Sequence, residues 1–235
     1  MPPEAGDDRQ RLLEAARALG LWLPPEQLDR LLHFRTALLR WNRVYNLTAL
    51  RDPEQVLVQH LFDCLSIIPA LRRHESEQRL DGDAPAFFRV LDVGSGAGLP
   101  GLVIALLQPN WRVTCVDTVA KKCAFMRQMA GELHLPHLDV VHARVEDLPG
   151  PGSGGVGQDL ITCRAFSSLG DLVTLSRHLL LTGGVWVAMK GQRPDDEIAA
   201  LPAGIDVFHV EQVSVPGQDL QRHLVWMRPL PSDKR

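Results

Sequence analysis

The sequence lacks several features that mark specialised classes of protein. No stretch approaches the roughly 18 consecutive apolar residues of a membrane-spanning helix. The 4 cysteines among 235 residues form no Cys-x-x-Cys pair, and the histidines between 134 and 142 have no ligand spacing. The opening segment MPPEAGDDRQ lacks the basic and apolar parts of a secretory signal. We therefore expect a globular protein of the reducing cytoplasm, with no membrane segment and no metal site.

Neither sign of charge dominates the chain. Lys and Arg total 25 against 28 Asp and Glu, a net charge of −3, which argues against a general affinity for nucleic acid. The distribution gives a different prediction, because the segment from Arg30 to Arg51 holds five arginines and no acidic residue. Arg40 falls on the solvent side of its predicted helix, whereas Arg35 falls among leucines and must pair or snorkel. We expect one local basic surface on an otherwise balanced protein.

The hydrophobic pattern changes at about residue 86. Before it, helical spacing predicts helices at 8–19, from Pro25 onward and at about 53–71, followed by a polar linker at 74–86. After it, short β-branched runs alternate with helical segments, which is typical of a parallel α/β sheet. The sequence thus predicts an N-terminal helical extension (1–86) on a Rossmann-like seven-stranded α/β domain (87–235).

The expected strands are seven short apolar runs, the last two forming an antiparallel hairpin because no crossover helix separates them. They cover 87–94, 111–117, 138–143, 159–166, 184–190, 205–215 and 222–228. Helices are expected at 120–133 and 169–181, and the glycine-rich segment 149–158 as a surface loop.

A glycine turn follows the first of these strands. Gly94, Gly96 and Gly98 permit positive φ angles and let the backbone approach a ligand closely. About twenty residues on, the next strand ends in Asp117, whose carboxylate can accept both ribose hydroxyls of an adenosine. After the third strand, Val145 and Glu146 stand where an acidic or backbone acceptor would face the adenine. These positions predict a nucleoside cofactor.

The choice of cofactor depends on the register of the glycines. Residues 96–101 fit the dinucleotide pattern G-x-G-x-x-G, so nicotinamide and flavin cofactors have to be considered. In that motif the first glycine follows the strand directly, but counted from Gly94 the pattern fails at Leu99. The spacing Asp-x-Gly-x-Gly-x-Gly instead resembles motif I of class I S-adenosylmethionine-dependent methyltransferases. A tight turn that binds nothing is the remaining alternative.

Further motifs make a family resemblance specific. In order they are WNRVYNLT (41–48), HLFD (60–63), DVGSGAGLPG (92–101), CRAF (163–166), KG (190–191) and RHLV (222–225). Together they resemble the bacterial 16S rRNA guanine-N7 methyltransferase family once called glucose-inhibited division protein B, over about residues 25–228. One departure is Cys64, which stands where that family usually has serine.

The resemblance implies an S-adenosylmethionine-dependent enzyme that methylates N7 of one guanine in 16S rRNA or the small ribosomal subunit. It implies cofactor contacts from Gly94, Leu99, Val145, Glu146 and Arg164. Gly96, Gly98 and Asp117 complete the expected cofactor site. The role of Arg164 stays open between the methionine carboxylate and the target pocket. The RNA contacts we expect come from a set of polar and basic residues: Arg40, Arg43, Asn46, Lys190 and Arg222.

Methylation at a ring nitrogen with a free lone pair needs no general base. We therefore assign no catalytic acid, base or nucleophile and expect catalysis mainly by orientation. Two other readings compete with it: a methyltransferase of proteins or small molecules, and a non-catalytic RNA-binding module. We expect a monomer.

Overall fold

Seven strands form one sheet in the computed structural model, which describes residues 5–80, 87–218 and 221–231. They are β1 (Arg89–Val93), β2 (Arg112–Asp117), β3 (Leu138–His142), β4 (Gln158–Arg164), β5 (Leu180–Lys190), β6 (Ile205–Ser214) and β7 (Gln221–Pro229). Their order is β3-β2-β1-β4-β5-β7-β6, with β1 to β5 parallel and β7 antiparallel to both its neighbours. The expected seven strands and the C-terminal hairpin are confirmed.

The N-terminal region is helical. It contains α1 (Ala5–Ala18), α2 (Pro25–Tyr45), α3 (Pro53–Val56), a π-helical turn (Leu57–Phe62), α4 (Asp63–Ser66) and α5 (Ile68–Leu80). The prediction that 74–80 belong to a linker is wrong, since α5 continues through them. His74 is buried there, with its ring 5.1 Å from that of Trp226, so this polar-looking segment has a packed face. The rest of the expected linker, 81–86, lies outside the described residues.

In the described residues, four α-helices connect the strands of the sheet: α6 (Gly101–Leu107), α7 (Ala120–Glu132), α8 (Leu169–Ser176) and α9 (Asp195–Ala199). The helix expected at 169–181 ends at Ser176, because Leu180 already pairs with Gln158 of β4. No helix of the described chain is long and apolar enough to cross a bilayer.

The N-terminal helices and one face of the sheet share a continuous apolar core. Within it the ring of Phe125 on α7 lies 6.1 Å from Phe34 and 5.4 Å from Trp41, both on α2. Further back on α2, Arg30 donates to the carbonyl of Leu133, just past the end of α7. The two helices are therefore antiparallel. The C-terminal end of α2 consequently lies at the carboxyl edge of the sheet, where β1 to β4 end.

Arg35 is buried on the core side of α2, as its position among the leucines predicts. Its Nη1 donates to Asp8 Oδ2 at 2.6 Å and its Nη2 to the Pro53 carbonyl at 2.8 Å. A buried cation paired in this way ties α1, α2 and α3 together.

Candidate functional site

The loop after β1 has a backbone that favours glycine. Gly94, Gly96 and Gly98 have φ angles of +67°, +60° and +85°, in the left-handed region. The Gly96 N–H donates to Asp117 Oδ2 at 2.8 Å, which joins the loop to the end of β2. At Gly98 a Cβ would lie 2.2 Å from Leu102 Cδ1, so this glycine lets the loop pack onto α6.

A cavity of about 280 Å³ opens at the carboxyl edge of the sheet, lined in part by Gly94, Asp117, Val145, Glu146 and Phe166. The first four are expected cofactor residues, brought together from the ends of three strands. Phe166 stands over the glycine loop, since a Cβ on Gly94 would lie 3.0 Å from the Phe166 ring. The cavity is close to the lower end of the roughly 300–1,000 Å³ range of small-molecule clefts.

The polar groups of the cavity suit an adenosine. Each carboxylate oxygen of Asp117 accepts one backbone N–H, from Gly96 and Val119 at 2.8 Å. Each oxygen keeps a lone pair that a ribose hydroxyl could use. Glu146 accepts from Arg144 Nε at 2.6 Å through one oxygen, and Val145 gives an apolar wall. These residues fit the nucleoside half of S-adenosylmethionine.

Four other expected cofactor residues do not line the cavity. Gly96 and Gly98 shape the loop, and Leu99 is buried in the core beneath it. Arg164 points away, toward the N-terminal helices. Its Nη1 donates to the Gln59 carbonyl at 3.1 Å and to Asp63 Oδ2 at 3.2 Å.

Arg164 belongs to a polar cluster centred on Asp63. This carboxylate is 1% exposed and also accepts Arg222 Nε at 2.5 Å and Nη2 at 3.1 Å. The neighbouring π-helical turn supplies His60, whose Nδ1 lies 3.2 Å from Arg164 Nη1. Burial, followed by the charge of Arg164, lowers the pKa of His60 to about 4, so its ring is neutral at pH 7.

The cluster continues to the end of α2. His60 Nε2 lies 2.8 Å from Thr48 Oγ1, and the Thr48 N–H donates to Asn42 Oδ1 at 2.9 Å. Asn42, Thr48, His60 and Asp63 all lie in motifs that the sequence shows, yet sequence reasoning assigned no role to His60 or Asp63. The arginines that they contact lie about 100 residues or more away along the chain, so sequence spacing gave no signal of those contacts.

The expected RNA contacts differ in their surroundings. Arg40 and Arg43 are exposed on α2, and within 5–80, 87–218 and 221–231 neither has a carboxylate partner. Asn46 ends α2 at a φ of 49° and accepts from Arg51 at 2.9 Å. Lys190 instead donates to both carboxylate oxygens of Glu197 at 2.8 Å and is largely buried.

The sheet order, the glycine loop after β1 and the carboxylate at the end of β2 define a class I S-adenosylmethionine-dependent methyltransferase. The fold resembles that of magnesium protoporphyrin IX methyltransferase from Synechocystis, solved with bound SAM, with a TM-score of 0.53 and 16% identity over 88% of this chain and 98% of that one.

The sequence also matches one methyltransferase family over most of its length. The model of the GidB family, rRNA small subunit methyltransferase G, matches residues 27–225. Curated relatives called ribosomal RNA small subunit methyltransferase G are 58% identical in Leptothrix cholodnii, over 94% of this chain and 96% of the relative, and 52% identical in Acidovorax sp., over 93% and 94%. The chain therefore belongs to the rRNA small subunit methyltransferase G family, and the resemblance seen in its sequence is confirmed.

Proposed function

We propose that this protein transfers the methyl group of S-adenosylmethionine to N7 of one guanine in 16S rRNA. The observation that carries the proposal is a cavity at the carboxyl edge of the sheet whose lining suits a nucleoside. The C-terminal end of α2, which carries exposed arginines, reaches the same edge. This arrangement supports the proposal, because a cofactor in the cavity and RNA on the exposed arginines of α2 would meet at one edge of the sheet.

The residues of the cavity suit a reaction that needs orientation and no proton transfer. The cofactor supplies an electrophilic methyl group on its sulfonium sulfur. Guanine N7 has a free in-plane lone pair, so no base is required, and the cavity carboxylates of Asp117 and Glu146 already accept hydrogen bonds from the protein. The chain then contributes by holding two reactants in a near-attack geometry, which can supply several kcal/mol.

We assign the cofactor to Gly94, Asp117, Val145 and Glu146, which line the cavity. Gly96, Gly98 and Leu99 maintain the loop rather than face the ligand. Phe166, which the sequence analysis did not assign, covers the loop from the end of β4 and is placed to pack against a bound reactant.

RNA contacts are assigned mainly to the N-terminal extension (1–86), and cofactor contacts to the methyltransferase domain (87–235). Arg40, Arg43 and Asn46 provide the exposed surface, and Lys190 keeps Glu197 in place. We further propose that the protein acts as a monomer in the cytoplasm, on free 16S rRNA or on the small subunit. The molar mass of the protein alone, measured by analytical ultracentrifugation, tests the proposed monomeric state.

The decisive experiment is methyl transfer to 16S rRNA from cells that lack the protein. Borohydride reduction and aniline cleavage, which break the chain at N7-methylguanosine, should reveal one new site. A product methylated on another atom, or no product from a protein that binds S-adenosylmethionine, would contradict the proposal. Parallel reactions on naked RNA, 30S particles and 70S ribosomes identify the preferred substrate.

The division of labour has its own test. Arg40→Glu combined with Arg43→Glu should weaken RNA binding and leave the affinity for S-adenosylmethionine unchanged. Arg17→Glu combined with Arg177→Glu is the matched control, because both arginines are exposed away from α2 and, in the described part of the chain, neither pairs with a carboxylate. Equal losses of RNA and cofactor affinity in the first variant would refute the division.

A further inference from the structure

Two guanidinium groups share one buried carboxylate at the carboxyl edge of the sheet. Asp63 accepts Arg164 and Arg222 on its two oxygens, and the two arginine side chains are 18% and 25% exposed. Both arginines are therefore held in place, and each keeps part of its surface open. We call these two side chains the guanidinium pair.

The guanidinium pair carries more charge than its partner neutralises. One carboxylate faces two cations, and His60 adds no charge because the pKa of its ring lies at about 4. Across the described part of the chain, Nε and Nη2 of Arg164 and Nη1 of Arg222 have no acceptor. Planar guanidinium donors with one surplus positive charge match an oxyanion such as a phosphate or a carboxylate.

Position favours a phosphate over the carboxylate of the cofactor. Arg164 directs its bonded Nη1 away from the cavity, toward the π-helical turn, and does not line the cavity wall. Arg222 lies near the start of β7, which is separated from the cavity strands by β5. Through His60 and Thr48 the cluster adjoins the end of α2, where Arg43 is exposed. A polymer with successive phosphates could contact both places, whereas the cofactor has one carboxylate.

We propose that the guanidinium pair binds a backbone phosphate of the substrate RNA next to the target guanine, and that Asp63 is the positioning residue that holds the pair in register with the cavity. This inference rests on the proposed function and names one of its RNA contacts. The opposing source of the same chemistry, the methionine carboxylate of S-adenosylmethionine, is the alternative that the experiment separates.

The test compares Arg222→Gln and Asp63→Asn with the wild-type full chain. Arg228→Gln is the matched control, since Arg228 is an arginine of the same strand that pairs with Asp206 at the far end of β7. Affinity for a 16S rRNA transcript is measured over a series of salt concentrations, and affinity for S-adenosylmethionine by calorimetry. Thermal unfolding checks that each variant folds.

Arg222→Gln should weaken RNA binding about tenfold to a hundredfold. It should also lower the salt slope by about 0.7, the value for one phosphate of a single strand. Asp63→Asn should weaken RNA binding although it adds net positive charge, because the two arginine side chains are no longer held in a fixed orientation. Affinity for S-adenosylmethionine should stay within twofold of wild type in both variants, and Arg228→Gln should change neither quantity.

Two results would overturn the inference. A loss of S-adenosylmethionine affinity with an unchanged salt slope would assign the pair to the cofactor carboxylate. Unchanged RNA affinity in a folded Arg222→Gln would remove the phosphate contact, and stronger RNA binding by Asp63→Asn would remove the positioning role. If the wild-type protein bound both ligands yet formed no N7-methylguanosine, the proposed function would fail. The binding measurements would still show whether the guanidinium pair binds a phosphate of the RNA.

Discussion

Replacing Asp92 by asparagine should change how the stability of the protein depends on pH. Asp92 lies near the end of β1, is 0% exposed, and accepts the Gly101 N–H through Oδ2 at 2.9 Å. Its Oδ1 has no hydrogen-bond partner within the described chain. Burial, only partly offset by the hydrogen bond from Gly101, raises the pKa of the carboxyl to about 7.

The magnitude follows from the two protonation equilibria. In the unfolded chain an aspartate ionises at about pH 4, whereas the folded chain keeps the proton on Asp92 to about pH 7. Between these values the folded state binds more protons, so the free energy of unfolding falls as pH rises and levels off above about 7. Each pH unit in that window removes about 1.4 kcal/mol, so about 2–3 kcal/mol is lost between pH 5 and pH 8.

His60 acts in the opposite direction in the wild-type protein. Its pKa is lowered to about 4, so between about pH 4 and 6.5 the folded state binds fewer protons than the unfolded state. That contribution raises stability with pH and masks part of the fall caused by Asp92. Asparagine does not titrate, so the difference between Asp92→Asn and wild type removes the His60 contribution and isolates that of Asp92.

The assay is urea unfolding followed by tryptophan fluorescence at several pH values. The free energy of unfolding of Asp92→Asn relative to wild type should grow by about 2–3 kcal/mol from pH 5 to pH 8. Asp139→Asn, which removes an exposed carboxylate from β3, is the control for the loss of one negative charge. A constant difference across pH, or the same growth in the control, would refute the argument that burial sets the titration of Asp92.

Three further predictions concern packing and burial. In urea unfolding, Gly101→Ala should destabilise the protein by about 1–3 kcal/mol, because a Cβ would lie 2.3 Å from Cys115 Sγ. Gly131→Ala on α7 should instead stabilise it by about 0.5–1 kcal/mol, because a Cβ there meets no atom of the described residues within 4 Å. Asp8→Ala should cost about 3–5 kcal/mol because it leaves Arg35 buried and unpaired, and a loss below about 1 kcal/mol would show that Arg35 reaches solvent. The four cysteine thiols are buried, with their pKa values raised chiefly by burial, so a disulfide reagent should label them in urea and not in the native protein.

The strands were predictable because each is a short β-branched run between turn residues, and the missing crossover before 222–228 predicted the hairpin. The ends of the helices were less predictable than the strands. The segment 74–80 reads as a polar linker, but it packs His74 against Trp226, more than 140 residues away in the chain. Only the assembled sheet provides that buried surface, so local pattern ended the helix too early.

The candidate site divides in the same way. That Gly94, Asp117, Val145 and Glu146 line one cavity was predictable, because each lies at or soon after the end of a strand of one parallel sheet, and these strand ends converge at one edge. The guanidinium pair was not, because Asp63 and Arg222 are separated by 159 positions. Motif order showed that both residues belong to the pattern, but only the contact between them explains why.

The basic segment from Arg30 to Arg51 is acid-free in sequence but not in space. Arg35 pairs with Asp8, and Arg30 donates to the end of α7, so both contribute to folding rather than to the surface. The exposed remainder is Arg40, Arg43 and Arg51, at the end of α2 that reaches the carboxyl edge. These three phosphate contacts and the one proposed for the guanidinium pair would give a salt slope of only about −3 on single-stranded RNA. A protein with a net charge of −3 therefore gains limited affinity from charge, and its choice of target has to come from the fit of one base beside the cofactor cavity.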